Sequence, residues 1–424
     1  MSVLHGIRQA LGRLDAAAGL GAVVARDDPA ALRAAAELDA QGPGGSAVWG
    51  LPVTVKDWID VAGLPCLGAS ADWVGRIPDQ DATVVARLRA AGAIVVAKTH
   101  PGPVHPVHGE CRHPADASRS PGGSSSGEAA LLGAGATRVG IGSDSGGSIR
   151  LPAAWCGVAG LRPSSGLVPL TGHFPPVGPR ADGRTVIGPL ASRVADLGRV
   201  LAVIAGPDGA DGGCVPVPLR HPDRVQARRL RIAVVGGEGT WRPAASTLAA
   251  VGRAGAALAR RGALLLGEVL PAHLEESLDI TQRYWNRRRL TGAQADRQLA
   301  DWDRLATRFA QVAADLDVVI GPVVRDIAPV RRRLTGADYI FTLPWSLTGW
   351  PAVSVPAGPD PATGLPLAVQ VAAPRFHDHV ALAVAGWIES DLAPGTPCPR
   401  CCRTGRIASE IRRPPASRGF GEEP

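Results

Sequence analysis

Residues 142–150 read GSDSGGSIR, and the chain continues through 151–157 as LPAAWCG. A similar cluster, PGGSSSGE, precedes it at 121–128. Both clusters combine hydroxyl side chains with glycines, whose backbone can approach a ligand closely. A Gly/Ser run on its own is typical of a solvated linker. Because an apolar pattern resumes immediately after Arg150, we interpret the second cluster as part of an ordered structure.

Lysine usage singles out two positions. Lys+Arg total 45, yet only Lys56 and Lys98 are lysine and the other 43 are arginine. High-GC codon usage accounts for such a bias without any function. A lysine can, however, lose its proton and act as a base, which a guanidinium cannot do in a protein. Lys56 follows the apolar run Leu51–Val55, where burial would lower its pKa.

Together these pieces can perform one chemistry that requires neither histidine nor metal. A serine hydroxyl needs a base within hydrogen-bond reach, and the oxyanion at the attacked carbonyl needs preorganised donors. Lys56 can be that base, directly or through a hydroxyl of the first cluster. The backbone N–H groups of Ser145, Gly146, Gly147 and Ser148 can form the oxyanion hole. A lysine that is neutral at pH 7 requires a pKa shift of roughly three units, or about 4 kcal/mol.

The segments 50–57, 122–127 and 144–150, in this order, resemble the amidase signature family, whose members hydrolyse amides with a Ser-cisSer-Lys triad. The resemblance extends over about 45–390 and is strongest between 50 and 200. Further matching segments lie at 157–164, 187–191, 347–356 and 364–370.

This resemblance implies a role for each matching residue. Lys56 matches the family's base, and Ser148 matches its nucleophile. Ser124 matches the bridging serine with the cis peptide bond, and it lies 24 residues before Ser148, as in the family. The residues alone do not distinguish Ser124 from Ser125 or Ser126. The family needs no cofactor or metal, so we expect neither here.

Two neighbouring features receive structural interpretations. Ser125 with Glu128 three residues later is typical of a capping box, and we expect it to open a helix through 129–132. Lys98 follows an apolar strand pattern at 93–97, and we interpret it as a structural lysine at a strand end.

Four histidines, His100, His105, His108 and His113, lie in one proline-rich stretch. Their spacing lacks a helical i, i+4 pair, so we do not expect a metal site. Cys398, Cys401 and Cys402 provide only half of a zinc-ribbon spacing, which does not favour a metal site either.

Rival serine and phosphate chemistries fit poorly. The run 123–127 formally matches the G-x-S-x-G elbow with Ser125 as nucleophile, but 117–121 is not the apolar strand that this elbow requires. Neither lysine stands three residues after a serine, as an S-x-x-K enzyme requires. The chain has no Gly-Lys-Ser/Thr triplet, so we do not expect a P-loop.

Composition limits the partners. The net charge is +7, but the arginine triplets 287–289 and 331–333 lie apart and only 4% of residues are aromatic, so we expect no nucleic-acid partner. Charged residues interrupt every apolar stretch of the N-terminus, and we expect neither a signal peptide nor membrane contact. The 7 cysteines are odd in number and scattered, which favours reduced thiols and a cytoplasmic location. The expected partner is a small-molecule amide substrate, and a homodimer remains open.

The expected fold class is α/β, a layered fold with a central mixed β-sheet flanked by helices. We expect an N-terminal helical segment at 1–44 and the amidase signature domain at 45–391. Its catalytic core would cover about 50–206 and its C-terminal half about 229–391. The tail, 392–424, is rich in Pro, Arg and Gly, and we expect it to be mostly disordered.

Local patterns predict individual elements. A helix should begin at Asp28 and end near 41–44, and the 206–213 stretch should be a break. Strands should lie at 230–235, 263–266 and 318–320, with a helix at 244–261 between the first two. A helical face should then bury six side chains of one stripe. They are Leu299, Trp302, Leu305, Phe309, Val312 and Leu316.

The predicted activity is a cofactor-independent amidase that cleaves a carboxylic amide to acid and ammonia or amine through an acyl-enzyme on Ser148. One alternative is the glutamine-hydrolysing subunit of a tRNA-dependent amidotransferase, against which the shortened 270–340 region argues. A second alternative is a catalytically silent protein of the same fold that binds a carbonyl ligand or a partner.

Overall fold

The computed structural model describes residues 2–178, 182–266 and 273–392. One mixed sheet of 11 strands runs through these residues, in the order β1-β3-β2-β6-β8-β7-β12-β13-β11-β9-β10, and β4 and β5 form a separate small hairpin. The strands are β1 (Val23–Ala25), β2 (Pro52–Lys56), β3 (Ile94–Thr99), β4 (Val104–His105), β5 (Gly109–Glu110), β6 (Val139–Asp144), β7 (Ala159–Arg162), β8 (Val186–Ala191), β9 (Arg231–Val234), β10 (Leu264–Leu265), β11 (Val318–Pro322), β12 (Ala352–Pro359) and β13 (Pro366–Ala372).

Helices cover both faces of this sheet, and the fold class predicted from the sequence is confirmed. They are α1 (Val3–Ala16), α2 (Asp28–Gln41), α3 (Thr83–Ala90), α4 (Ser126–Gly133), α5 (Arg150–Cys156), α6 (Val194–Ile204), α7 (Ala245–Arg260), α8 (Leu274–Trp285), α9 (Gly292–Val312), α10 (Leu343–Thr348) and α11 (Asp378–Leu392).

The sheet is parallel near its two ends and antiparallel in the middle. β3, β2 and β6 run parallel to one another, as do β11, β9 and β10. The strands between them, from β8 to β13, pair antiparallel. Since loops at the carboxyl ends of adjacent parallel strands converge, the ends of β2 and β6 are a favourable place for a functional site.

Most local predictions are confirmed. α2 spans Asp28–Gln41, with Asp27 capping its first turn and proline in that turn. β9, α7, β10 and β11 lie where strands and a helix were expected.

The predicted helical stripe is partly wrong. Leu305 and Phe309 are buried, but Leu299 is 57% exposed. Leu316 is buried beyond the end of α9 rather than on it. The predictions for residues 393–424, including the cysteine spacing at 398–402, lie outside the described residues.

Candidate active site

Lys56 is the last residue of β2, and its side chain is fully buried. Its Nζ lies 2.7 Å from Ser124 Oγ and 3.1 Å from Ser143 Oγ. Burial lowers the pKa of Lys56 to about 7, although the nearby carboxyl groups of Asp144 and Glu128 act in the opposite direction. An amine with this pKa is about half neutral at pH 7 and can accept a proton from the hydroxyl beside it.

Ser124 lies in the loop that precedes α4, and the peptide bond between Gly123 and Ser124 is cis. Two hydrogen bonds hold this loop. The Tyr339 hydroxyl donates to the Gly123 carbonyl at 2.9 Å, and the Ser125 N–H donates to the Ser148 carbonyl at 3.0 Å. The second bond places the backbone of the Ser124 loop directly beside that of Ser148.

Ser148 lies in the loop between β6 and α5, and like Ser124 it is partly exposed. Among the residues that the structure describes, no hydrogen bond joins the Ser124 and Ser148 hydroxyls. The structure therefore brings Lys56, Ser124 and Ser148 to one place and connects the first two. Catalytic hydrogen bonds are often loose without substrate and tighten when it binds.

The peptide group between Gly146 and Gly147 is held at both ends. The Gly147 N–H donates to Asp144 Oδ1 at 2.7 Å, and the Thr342 hydroxyl donates to the Gly146 carbonyl at 2.5 Å. Gly147 has φ +131°, and a Cβ there would lie 2.3 Å from Thr342 Oγ1, so this position requires glycine.

The backbone N–H groups of residues 145–148 were expected to form the oxyanion hole. One of these four, the N–H of Gly147, donates to Asp144 instead. Within the described part of the chain, the N–H groups of Ser145, Gly146 and Ser148 have no acceptor. Because the intervening peptide is fixed, its two flanking N–H groups are fixed as well. Preorganised donors of this kind are what a developing oxyanion requires.

A buried ionic network supports this loop. Asp144 accepts from Arg150 Nε and Nη2, both at 3.0 Å, and Arg162 donates to the Asp144 carbonyl at 2.9 Å. Arg150 Nη1 reaches the Gln370 side chain at 2.7 Å and the Thr342 carbonyl at 3.0 Å. The loop that carries Ser148 is thereby tied to β13 and to the residue before α10, both in the C-terminal half.

The charges in this network keep Asp144 ionised. Burial alone would raise its pKa, but the Arg150 and Arg162 guanidinium groups dominate and lower the pKa of Asp144 to about 2. An ionised Asp144 can accept the backbone N–H groups of Gly147 and Ile149 together, at 2.7 and 3.2 Å. This carboxylate therefore shapes the turn on which Ser148 lies.

Comparisons with known proteins agree with this geometry. The Amidase family model matches residues 6–291 and 281–382. The chain is 32% identical over 463 residues to a glutamyl-tRNA(Gln) amidotransferase subunit from Anaeromyxobacter dehalogenans (strain 2CP-C), covering 92% of each chain. The chain belongs to the amidase family.

Solved structures show the same fold for this amidase. The native peptide amidase from Stenotrophomonas maltophilia aligns with a TM-score of 0.77 and 26% identity, over 94% of this chain and 95% of that one. A bacterial aryl acylamidase of the amidase signature family aligns with a TM-score of 0.81 over 93% and 94% of the two chains. At 20% identity, the second match shows the fold alone. The chain is an amidohydrolase that acts on C–N bonds.

The helix predicted to open at Ser125 and to run through 129–132 is confirmed as α4, but the capping box predicted for its start is wrong. Ser125 is the N-cap residue of α4, but its side chain makes no capping hydrogen bond. Glu128 instead points toward the sheet, where its carboxyl accepts from the hydroxyls of Thr54 and of Thr99, the latter at 2.8 Å. Burial raises the pKa of Glu128 to about 8, against these hydrogen bonds. The Glu128 carboxyl, buried near Lys56, therefore bonds to the neighbouring strands and does not cap α4.

Lys98 lies near the end of β3, as predicted, and it is fully buried. Its Nζ pairs with Asp57 Oδ1 at 3.0 Å and donates to the Pro65 carbonyl at 3.2 Å. His108 Nε2 contacts the other oxygen of Asp57 at 3.2 Å. These contacts give Lys98 a structural partner away from Ser124 and Ser148.

The four histidines of the 100–113 stretch separate into two groups. The rings of His105 and His108 stack at 4.5 Å, and His100 lies against both. His113 is elsewhere and bonds the Trp155 carbonyl at 2.9 Å. No cluster in the described ranges has the arrangement of a metal site. Likewise, none of the described helices combines the length and apolar character needed to cross a bilayer.

Several residues at the site escaped the sequence analysis. Tyr339 and Thr342 contact the site through their hydroxyls, and nothing in their local sequence marks them. Ser143 lies within the 142–150 stretch, but its contact with Lys56 was not predicted. Arg150 and Gln370 lie within the recognised motifs, so their segments were found but their pairing was not. Only the fold shows that two residues 220 positions apart share a hydrogen bond.

Proposed function

We propose that this amidase hydrolyses a carboxylic amide to the acid and ammonia or an amine, with Lys56, Ser124 and Ser148 as its triad. The observation that carries the proposal is the buried lysine whose Nζ lies 2.7 Å from Ser124 Oγ, beside the loop of Ser148. No cofactor or metal takes part in the proposed steps.

In the first step, Ser148 Oγ attacks the amide carbonyl and forms a C–O bond. Its proton passes to Ser124 Oγ while the Ser124 proton passes to Lys56 Nζ. The oxyanion accepts hydrogen bonds from the backbone N–H groups of the 145–148 loop, among which Ser145, Gly146 and Ser148 are the uncommitted donors. The C–N bond then breaks, and the proton held by Lys56 returns through Ser124 to the leaving nitrogen.

In the second step, water repeats the sequence. Lys56 accepts a proton through Ser124 as the water oxygen attacks the acyl-Ser148 ester. The C–O bond to Ser148 breaks, the acid leaves, and Ser148 recovers its proton. Each half-reaction returns Lys56 to its neutral form, which explains why a lysine with a lowered pKa is suited to this position.

The test is a panel of aliphatic and aromatic amides with ammonia release as the readout, combined with labelling by a fluorophosphonate probe. We expect turnover of at least one amide and covalent labelling of the wild type. Ser148→Ala should abolish both, and a labelled Ser148→Ala variant would show that another residue is the nucleophile. Absence of labelling in the wild type would favour the catalytically silent alternative.

A second candidate function rests on the 32% identity to a glutamyl-tRNA(Gln) amidotransferase subunit. If this chain were the corresponding component of such a complex, glutamine would be its preferred substrate and it would co-purify with the other components. Efficient ammonia release from simple amides by the isolated chain, with none from glutamine, would exclude this function.

We also propose a cytoplasmic location and no nucleic-acid or membrane partner. Three cysteines of the described residues, Cys66, Cys111 and Cys214, are free thiols, which supports a reducing compartment. A homodimer is compatible with the proposed mechanism but is not required by it.

A further inference from the structure

A third buried arginine, Arg184, lies beside the proposed oxyanion loop. β8 pairs antiparallel with β6, and Asp144 stands opposite Val186. The next pair outward is Ser145 and Thr185, whose hydroxyl oxygens lie 2.5 Å apart. Arg184 follows one residue further along the same edge. Since opposite residues in such a pair are about 5 Å apart, its backbone lies next to the 145–148 loop.

A second, independent contact leads to the same place. The Arg184 guanidinium lies over the Tyr284 ring, 3.7 Å from its centroid. The next residue, Trp285, approaches the catalytic loop, because a Cβ on Gly146 would lie 3.9 Å from Trp285 Cζ2. The guanidinium therefore lies against the end of α8, whose last residue, Trp285, approaches the 145–148 loop.

Arg184 is buried without a full set of partners. Its side chain is 1% exposed, and its Nε contacts Asp182 Oδ1 at 3.3 Å, a long hydrogen bond. Its Nη1 is buried and has no hydrogen-bond partner among the residues that the structure describes. The Asp182 carboxylate is shared with the hydroxyl of Thr185 at 2.9 Å. An unpaired N–H of a buried guanidinium is costly unless a ligand completes it.

The local charge balance favours an anionic ligand. Three buried guanidinium groups, those of Arg150, Arg162 and Arg184, surround the loop. Two carboxylates, Asp144 and Asp182, oppose them through the contacts described above. Arg150 and Arg162 share the Asp144 carboxylate, so these three guanidinium groups outnumber the two carboxylates by one. A substrate that carries one negative charge would balance these five groups.

We propose that Arg184 binds a carboxylate of the substrate, so that this amidase prefers monoamides of short dicarboxylic acids over uncharged amides. This inference rests on the proposed function and names the substrate class of the same site. The planar guanidinium suits a carboxylate because it can offer two parallel N–H groups, which an ammonium cannot.

The experiment compares acid amides with uncharged amides of equal chain length. The pairs are malonamate with propionamide, succinamate with butyramide, and glutaramate with pentanamide. In the wild type, kcat/KM for at least one acid amide should exceed that of its uncharged partner by about tenfold or more. In Arg184→Gln that ratio should fall by about 10- to 100-fold, mainly through KM, because a charge-assisted hydrogen bond is lost.

Arg287 provides a matched control. Its guanidinium lies 3.9 Å from the same Tyr284 ring centroid, but the residue is exposed. Arg287→Gln removes a cation from Tyr284 without touching the proposed subsite, and the selectivity ratio should stay at the wild-type value. An equal loss of ratio in both variants would show that stacking on Tyr284, and not anion binding, is what matters.

Inhibition of the wild type provides a second test, which does not depend on correct folding of the variant. Succinate should inhibit competitively with an inhibition constant at least about tenfold lower than that of butyrate. Equal inhibition by both acids, or no preference in any substrate pair, overturns the inference. If the wild type is labelled by the fluorophosphonate and hydrolyses uncharged amides without such a preference, only the inference fails. If no amide is hydrolysed and no label is incorporated, the proposed function itself fails.

Discussion

Replacing Lys56 by arginine tests the core of the proposed mechanism. The usual lysine pKa of 10.5 would leave about one neutral amine in 3,000 at pH 7, whereas a pKa of about 7 leaves about one in two. The shift corresponds to about 5 kcal/mol, and it arises because the side chain is fully buried. Arginine keeps the positive charge at all accessible pH values and cannot accept the proton.

The expected loss follows from these values. General-base catalysis is worth about 10²- to 10⁴-fold, so kcat of Lys56→Arg should fall by at least about 10²-fold. In the wild type the neutral amine is the active form, and activity should therefore increase with pH. The value of kcat/KM should level off above pH 7 and fall about tenfold per unit below it. At pH 5 it should be about 100-fold below the plateau.

The assay is ammonia release from the best amide between pH 5 and 9, with circular dichroism and thermal unfolding to verify the fold. The chain offers one control, because Lys98 is its only other lysine and is also fully buried. Lys98→Arg keeps a cation beside Asp57 and should lower kcat less than about tenfold. Turnover of Lys56→Arg close to that of the wild type, or a flat wild-type profile down to pH 5, would refute the reasoning.

Three further predictions concern the loop and the buried carboxyl group. Thr342→Val should lower kcat by about 10- to 100-fold because the buried Gly146 carbonyl loses its donor, while Thr342→Ser should stay within about threefold of the wild type. Gly147→Ala should destabilise the protein by about 2 kcal/mol or more in urea denaturation, since its φ is +131° and its Cβ would collide with Thr342. The raised pKa of Glu128, about 8, contributes stability that is complete below pH 4.5 and is lost as pH rises. In urea denaturation, the free energy of unfolding of Glu128→Gln should therefore rise relative to that of the wild type by about 2–4 kcal/mol between pH 5 and 8. A difference between the two proteins that does not change with pH would contradict this.

The fold and the candidate base Lys56 were accessible from the sequence for physical reasons, whereas the roles of Ser124 and Ser148 were inferred from the family resemblance. Strands such as β9 and β11 consist of short apolar runs, and helices such as α2 carry their own capping residues. Lys56 was conspicuous because the chain otherwise uses arginine. These are local signals, and each can be evaluated within a window of a few residues.

The remaining features depend on contacts between distant segments. Glu128 looked like a capping residue because Ser125 stands three positions before it, but its carboxyl is used by Thr54 and Thr99 on neighbouring strands. Tyr339 and Thr342 carry ordinary hydroxyls, and their acceptors are the distant carbonyls of Gly123 and Gly146, respectively. Arg184 resembled any other arginine in an arginine-rich chain until its burial was known.

The connection from Asp144 through Arg150 to Gln370 has a consequence for biosynthesis. All three side chains of the proposed triad are translated before residue 150. Thr342 and Gln370, which accept hydrogen bonds from Arg150 in addition to Asp144, emerge from the ribosome much later. A nascent polypeptide would thus possess its nucleophile long before that nucleophile is correctly oriented. Hydrolytic competence should appear late and abruptly, when the last strands join the sheet.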